Sequence, residues 1–413
     1  PLALSSAATS AGAGSTPAGT RTATKPAQRS ASQPALVKTI TKFVGVVPMP
    51  VRILIAVLIA LALALGIRSR FSSVRTRRLV RQRGQLLEDV GLLQAALLPL
   101  PPARLGPVGT SVAYRPADGP GAGGDFYDVF ALEDGQLAVI VGDVSGHGRE
   151  ALPHTALVRF TVRAYLEAGL SPRKALQTAG TVLERQLGGS FATVVAATYH
   201  PRERTLTYAS AGHPPPVVLG DPLRPGLPAA RIEPVTSCSS PPIGTGMRTG
   251  ARQTVVSVPG PARLCFHTDG VTEARVGDDL FGSQRLIRSL EGLARESSAA
   301  ALLDSVTEQT DTRPDDMAAC LLAVADGAGA PSIVLEQLEL DRDSLASGRA
   351  ERFLRECRIG DAELAETLRA AGRELERRDT VLLELHVEHE QSVVSLGRDN
   401  VVHTAELVAA SAS

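Results

Sequence analysis

The 413-residue chain contains no tryptophan, and aromatic residues make up only 3% of it. No run of rings is available on which nucleic-acid bases could stack. Cysteine is also rare. Cys238, Cys265, Cys320 and Cys357 stand far apart, with none of the paired spacings of a zinc site or a disulfide framework. Reduced thiols in a cytosolic setting are the plain expectation. No Gly-Lys-Ser/Thr follows any glycine-rich loop, which excludes a nucleotide-binding P-loop. Net charge is zero but uneven: residues 1–100 hold thirteen Lys/Arg against two acids, so 101–413 are correspondingly acidic. An acidic body argues against nucleic-acid binding, which needs clustered Lys/Arg against phosphate. The first residue is Pro rather than Met, which leaves the true start open.

What is present divides the chain into five stretches. Residues 1–42 are mostly Ala, Ser, Thr, Gly and Pro, too polar for a core, and are expected to be a disordered tail. Residues 43–67 are expected to form a transmembrane segment. Ile53–Ile67 is an uncharged apolar run of fifteen, extended by apolar Phe43–Val51 and an Arg52 able to snorkel, against the roughly twenty residues a bilayer needs. An uncleaved signal-type segment and a buried core helix are the alternatives. Seven arginines from Arg68 to Arg83 place the following body on the cytoplasmic face, by the positive-inside rule. The expected location is therefore the cell membrane, with a single pass.

Residues 68–100 read as a basic linker and a helix over Val74–Leu98. Leu79, Leu86, Leu93 and Leu100 recur every seven residues, with Val90 and Leu97 between them. This suits a parallel coiled coil and a homodimer, or else an amphipathic helix packed on its own domain. Residues 101–328 alternate strand-like runs with long helical patterns grouped between them, which predicts an α+β layered sandwich. Residues 329–413 are acidic and helical in pattern, with strand-like Val381–Val387 and Val393–Leu396.

The chemistry concentrates in short acidic motifs beside strand ends. Gly123-Gly124-Asp125-Phe126-Tyr127-Asp128 precedes the apolar run Leu137–Val141, which leads into Gly142-Asp143-Val144-Ser145-Gly146-His147-Gly148. Phe266-His267-Thr268-Asp269-Gly270 and Pro314-Asp315-Asp316-Met317 repeat the placement. An Asp-Gly after a strand is usually a turn. Four such acids sharing one position relative to strands suit oxygen-loving divalent cations, with glycines admitting close backbone approach. The letters Gly-Gly-Asp-Phe do not make a cyclic-dinucleotide synthase, which needs a second acid where Phe126 stands.

These motifs resemble the metal-dependent PPM-type protein Ser/Thr phosphatases, in their bacterial SpoIIE and RsbU branch. The likeness runs over about 94–326. It also takes in Leu97-Leu98-Pro99, Tyr114–Ala117, Phe191-Ala192-Thr193, Tyr208–Pro215, Thr268–Ala274 and Leu280-Phe281-Gly282. It implies a central β-sandwich flanked by helix pairs, with two Mn2+ or Mg2+ ions between the sheets. It further implies that Asp143 bridges both ions, helped by the Val144 carbonyl. Asp125, Asp269 and Asp315 would be further ligands, with Asp316 the alternative to Asp315. His147 would act as a general acid or orient water, or be a loop residue only. Arg115 would contact phosphate or make a strand-end salt bridge, and His213 would shape a turn.

The implied substrate is phosphoserine or phosphothreonine on a small partner protein, an anti-anti-sigma factor. Some relatives append a GHKL-type kinase domain. Residues 329–413 are too short for one, and read as a degenerate remnant or an interaction module. The chain departs from the family pattern at Ala318, where a Thr is usual. The lost hydroxyl and the unusual C-terminal region motivate a second reading, a catalytically weak scaffold that binds a partner-switching regulator.

Overall fold

The computed structural model describes residues 48–51, 53–70, 98–116, 123–146, 151–220, 230–232, 240–258, 260–294, 297–311, 316–325, 334–388 and 391–397. The chain divides into two compact units, Pro1–Val80 and Arg81–Ser413.

In the first unit helix α1 covers Met49–Arg70, 22 residues, or about 33 Å at 1.5 Å per residue. Its described side chains are exposed along the whole length. By length and composition it could cross a bilayer core of about 30 Å. It ends three residues beyond the expected segment 43–67. The expected tail 1–42 and nearly all of the expected coiled-coil stretch Val74–Leu98 lie outside the described residues.

The second unit is an α+β stack of two antiparallel sheets with helices on their outer faces. One sheet has the order β1-β2-β13-β10-β7-β8, formed by Arg104–Leu105, Val108–Arg115, Met317–Val324, Ala262–His267, Val217–Gly220 and Ala230–Ile232. The other has the order β16-β15-β14-β9-β6-β5-β4-β3. Its strands are Gln391–Gly397, Val381–Glu388, Val334–Leu340, Arg252–Ser257, Thr205–Ala211, Ala192–His200, Leu137–Val144 and Phe126–Ala131. The minor hairpin β11–β12 is Arg275–Val276 with Asp279–Leu280.

Strand alternation sorts the apolar side chains into layers. Along β4, Leu137, Val139 and Val141 enter the core between the sheets, where they meet Leu264, Phe266, Ala318 and Cys320 of the other sheet. Ala138, Ile140 and Val144 face the opposite way, against helices α2 (Leu152–Glu167) and α3 (Pro172–Leu183). Ser171 caps α3, its side chain accepting from the Lys174 N–H, with Pro172 at the first helical position where no donor is needed. The outer face of the six-stranded sheet is covered by α4 (Asp269–Glu273), α5 (Gly282–Gly292) and α6 (Ala299–Gln309).

The boundary expected at 328/329 falls inside this unit. Strand β14 pairs with β9 in the register Val334↔Val256 to Leu338↔Arg252, so the sheet runs on into the C-terminal segment. That segment adds three strands to the existing sheet rather than a sheet of its own. Helices α7 (Arg342–Ala346), α8 (Arg349–Glu356) and α9 (Asp361–Arg377) belong with them, and Phe353, Leu354, Leu364 and Ala371 share a core with Leu338, Leu340 and Leu383.

Candidate metal centre

Antiparallel pairing carries the acidic motifs to one end of the sandwich. Phe126 lies opposite Gly142, so Asp125 and Asp143 meet at one edge of β3 and β4. His267 lies opposite Ala319, so Asp269 and Asp316 meet at the matching edge of β10 and β13. Parity decides which acids face inward. Asp125 and Asp143 share the phase of Tyr127 and Val141, which line the space between the sheets. Asp128 has the opposite phase. It is buried on the helix side, where the Arg159 guanidinium reaches it at 2.8 Å and that of Arg163 at 3.1 Å.

Carboxylate oxygens of Asp125, Asp143 and Asp269 lie within 4.8 Å of one another. Asp316 stands outside this trio but close enough to act on it electrostatically. Burial holds the Asp125 carboxyl well above its usual range, reinforced by the Asp143 charge and opposed by a hydrogen bond from Thr268. Asp143 is pushed up to about 7, first by burial and then by Asp269 and Asp316. Among the described residues, the charges that act on both groups are other acids. Like charges forced together in this way call for an external positive charge.

The backbone is shaped around the same point. A Cβ at Gly124 would lie 2.1 Å from the Val144 carbonyl oxygen and 2.3 Å from Asp143 Oδ1. A side chain is therefore barred where those two oxygens converge. A Cβ at Gly123 would run into the Asp316 carboxylate in the same manner. Four oxygen donors, three of them anionic, fit a hard divalent cation and fit no soft metal.

The supporting contacts include residues that motif reading missed. The Thr268 hydroxyl donates to Asp125 Oδ2 at 2.7 Å and accepts from the Ala318 N–H at 2.9 Å. Thr268 thus fixes one acid from the opposite sheet. Its signal was the phase it shares with Leu264 and Phe266, which points it inward. Ala318 itself is fully buried among the apolar residues between the sheets. A side-chain hydroxyl already reaches Asp125 without any contribution from position 318. The Tyr114 hydroxyl accepts from the Gly123 N–H at 3.0 Å and hydrogen-bonds Asp316.

His213 is a brace between the two sheets. Its Nε2 meets the His267 carbonyl at 3.1 Å, so that nitrogen carries the proton and Nδ1 accepts from the Thr193 hydroxyl at 2.9 Å. Burial, aided by His267, lowers its pKa to about 3, so the ring stays neutral. Thr193 pairs directly with Asp143 in the β4–β5 ladder. Arg115 makes an ion pair with Asp304 and a 3.0 Å hydrogen bond to Thr307, both on α6. It is the strand-end salt bridge of the two readings. His147 and Asp315 lie outside the described residues. Cys265, Cys320 and Cys357 are buried, and burial pushes the Cys265 thiol up to about 12.

Comparison with known proteins bears on this geometry. Residues 133–325 match the family model described as Stage II sporulation protein E (SpoIIE). This stretch is similar to the SpoIIE family. The chain is also similar to the phosphoserine phosphatase RsbU of Bacillus subtilis, 30% identical over 93 residues, which cover 22% of this chain and 28% of RsbU. It is also similar to the phosphoserine phosphatase RsbP of the same organism, 26% identical over 168 residues, 38% of each chain. The chain thus spans well under half the length of either relative. The SiaA-PP2C domain of Pseudomonas aeruginosa aligns with 60% of this chain and 98% of its own, at 22% identity and a TM-score of 0.48.

Proposed function

We propose that this chain is a metal-dependent protein serine/threonine phosphatase, tethered to a membrane by α1 with its SpoIIE-type domain on the cytoplasmic side. The observation that carries the reading is the convergence of Asp125, Asp143 and Asp269 within 4.8 Å. Asp125, Asp143, Asp269, the Val144 carbonyl and either Asp315 or Asp316 would hold two Mn2+ or Mg2+ ions. Ions bound there would lower the pKa of a bound water and offset charge on the phosphoryl oxygens.

The protein's own part is positioning. Asp143 sits within 4.8 Å of the other two acids, on a strand held by Thr193 and, through it, by His213. Thr268 keeps Asp125 turned inward. Gly124 leaves the approach to the Val144 carbonyl open. The resemblance to RsbU supports a phosphoserine or phosphothreonine substrate on a small regulatory protein, an anti-anti-sigma factor. The basic run Arg68–Arg83 beside an apolar helix supports the cytoplasmic placement. The leucine heptads of residues 79–100 support a homodimer. The scaffold reading drew on Ala318 and on the C-terminal segment, and the Thr268 hydroxyl on Asp125 weighs against the first of these.

The test is phosphate release from a phosphoserine peptide by the full chain in detergent. Turnover should stop with EDTA and return with Mn2+ or Mg2+. Turnover that persists in EDTA would overturn the assignment.

A further inference from the structure

We infer that the second unit carries a binding site for a small organic anion with an apolar body, lined by none of the clustered acids and independent of the phosphatase reading. The site is a cavity of about 430 Å³ where the C-terminal segment meets the sheet. That volume lies within the range of small-molecule pockets, roughly 300–1,000 Å³.

Its walls are of two kinds. Phe353 and Leu338 supply a buried apolar floor, and Met247, 57% exposed, forms a rim. Arg252, Arg349 and Arg352 bring three guanidinium groups to the same space, against the single carboxylate of Glu356. Only Arg252 is matched: it pairs with Glu356 at 3.1 Å and lies over the Phe353 ring at 4.8 Å. Even so, its Nε is buried and has no hydrogen-bond partner. Arg349 and Arg352, three apart on α8 and so on one face, make no side-chain ion pair or hydrogen bond among the described residues.

Unmatched guanidinium groups beside an apolar floor select for charge and shape together. Arginine offers a planar fork that fits carboxylate and phosphate oxygens. The Phe353 and Leu338 surface favours a ligand with a ring or short chain behind the anionic group. A bare anion would forgo the apolar contact, and a neutral ring would leave the arginines unmatched. Gly212, immediately before the His213 brace, is also in the cavity wall, so the site adjoins an element that supports Asp143.

The experiment uses the full chain in detergent with EDTA, which keeps metal from recruiting the probe to the acidic cluster, and 4-fluorophenylphosphonate as the probe, followed by fluorine NMR line broadening. Saturable binding is expected, weakened at least tenfold in Arg349→Gln/Arg352→Gln. Met247→Trp, which fills the rim from an exposed position, should weaken it equally while leaving the melting temperature in place. Asp143→Asn should leave binding unchanged, which separates this site from the acidic cluster. Inorganic phosphate and 4-fluorobenzyl alcohol should each compete at least tenfold more weakly than unlabelled phenylphosphonate. Binding that survives both cavity variants, or that is lost in Asp143→Asn, would overturn the inference. So would equal competition by inorganic phosphate.

Discussion

At the scale of single residues, the working parts of the acidic cluster are set by strand phase and by one hydroxyl. Thr268 and Ala318 divide a task that motif reading gave to position 318 alone. The hydroxyl on Asp125 comes from Thr268, and the Ala318 side chain fills core space. Thr268→Val keeps the shape and removes the hydrogen bond. Loss of such a supporting contact costs about 10–100-fold in metal affinity, and Mn2+ calorimetry should show a loss of that size with the fold intact. Ala318→Thr should give no gain in Mn2+ affinity. It should instead lower stability, by about 1–3 kcal/mol for a buried hydroxyl without a partner, read from the urea midpoint. A rise in affinity from Ala318→Thr would contradict this division of roles.

At the scale of elements, periodicity was a good guide wherever both faces of a strand are apolar. Leu137–Val141 is legible as a strand because it is buried on both sides, and the apolar run Met317–Val324 is legible for the same reason. Asp125, Asp143 and Asp269 were legible because a glycine flanks each of them. Strand β14 was not. Its sequence Val-Leu-Glu-Gln-Leu-Glu-Leu spaces Leu335 and Leu338 as a helix would, and Glu336 and Glu339 look like a solvated face. Both glutamates are in fact buried. Their partners, such as Thr254 for Glu336 and Arg173 for Glu339, lie more than eighty residues away. No local pattern can reveal that. Asp128 teaches the same lesson beside the cluster: only its phase and the two arginines of α2 show that it is structural. Asp128→Ala leaves Arg159 buried without its counter-charge, which costs about 3–5 kcal/mol. Chemical denaturation should show that loss, while Mn2+ binding by the folded fraction stays unchanged.

At the scale of the whole second unit, one buried carboxylate ties the C-terminal segment to the body. Glu339 meets Arg173 and Arg248 in ion pairs, Lys174 at 3.4 Å and the Gln177 amide at 3.0 Å. Burial works against its ionised form, but Gln177 and the arginines outweigh that and hold its pKa below the usual range. A depressed carboxyl pKa stabilises the fold above the unfolded value, about 4.3 for Glu, and the contribution fades as pH falls through the folded value. Glu339→Gln should therefore be markedly less stable than the wild type at pH 7. The gap in urea midpoint should close as the pH drops below about 4. Truncation after residue 328 removes β14 to β16 and bares the edge of β9, a template for unwanted pairing. The truncated chain should aggregate in light scattering where the full chain does not.

The most direct test of the central claim is a Mn2+ titration of the wild type and Asp143→Asn by calorimetry, each in metal-free detergent buffer. Wild-type protein should take up Mn2+, and Asp143→Asn should bind it at least tenfold more weakly. Removing one like charge from the cluster should also raise the variant's melting temperature in EDTA. Undiminished Mn2+ binding by Asp143→Asn would contradict the metal centre assigned to Asp125, Asp143 and Asp269.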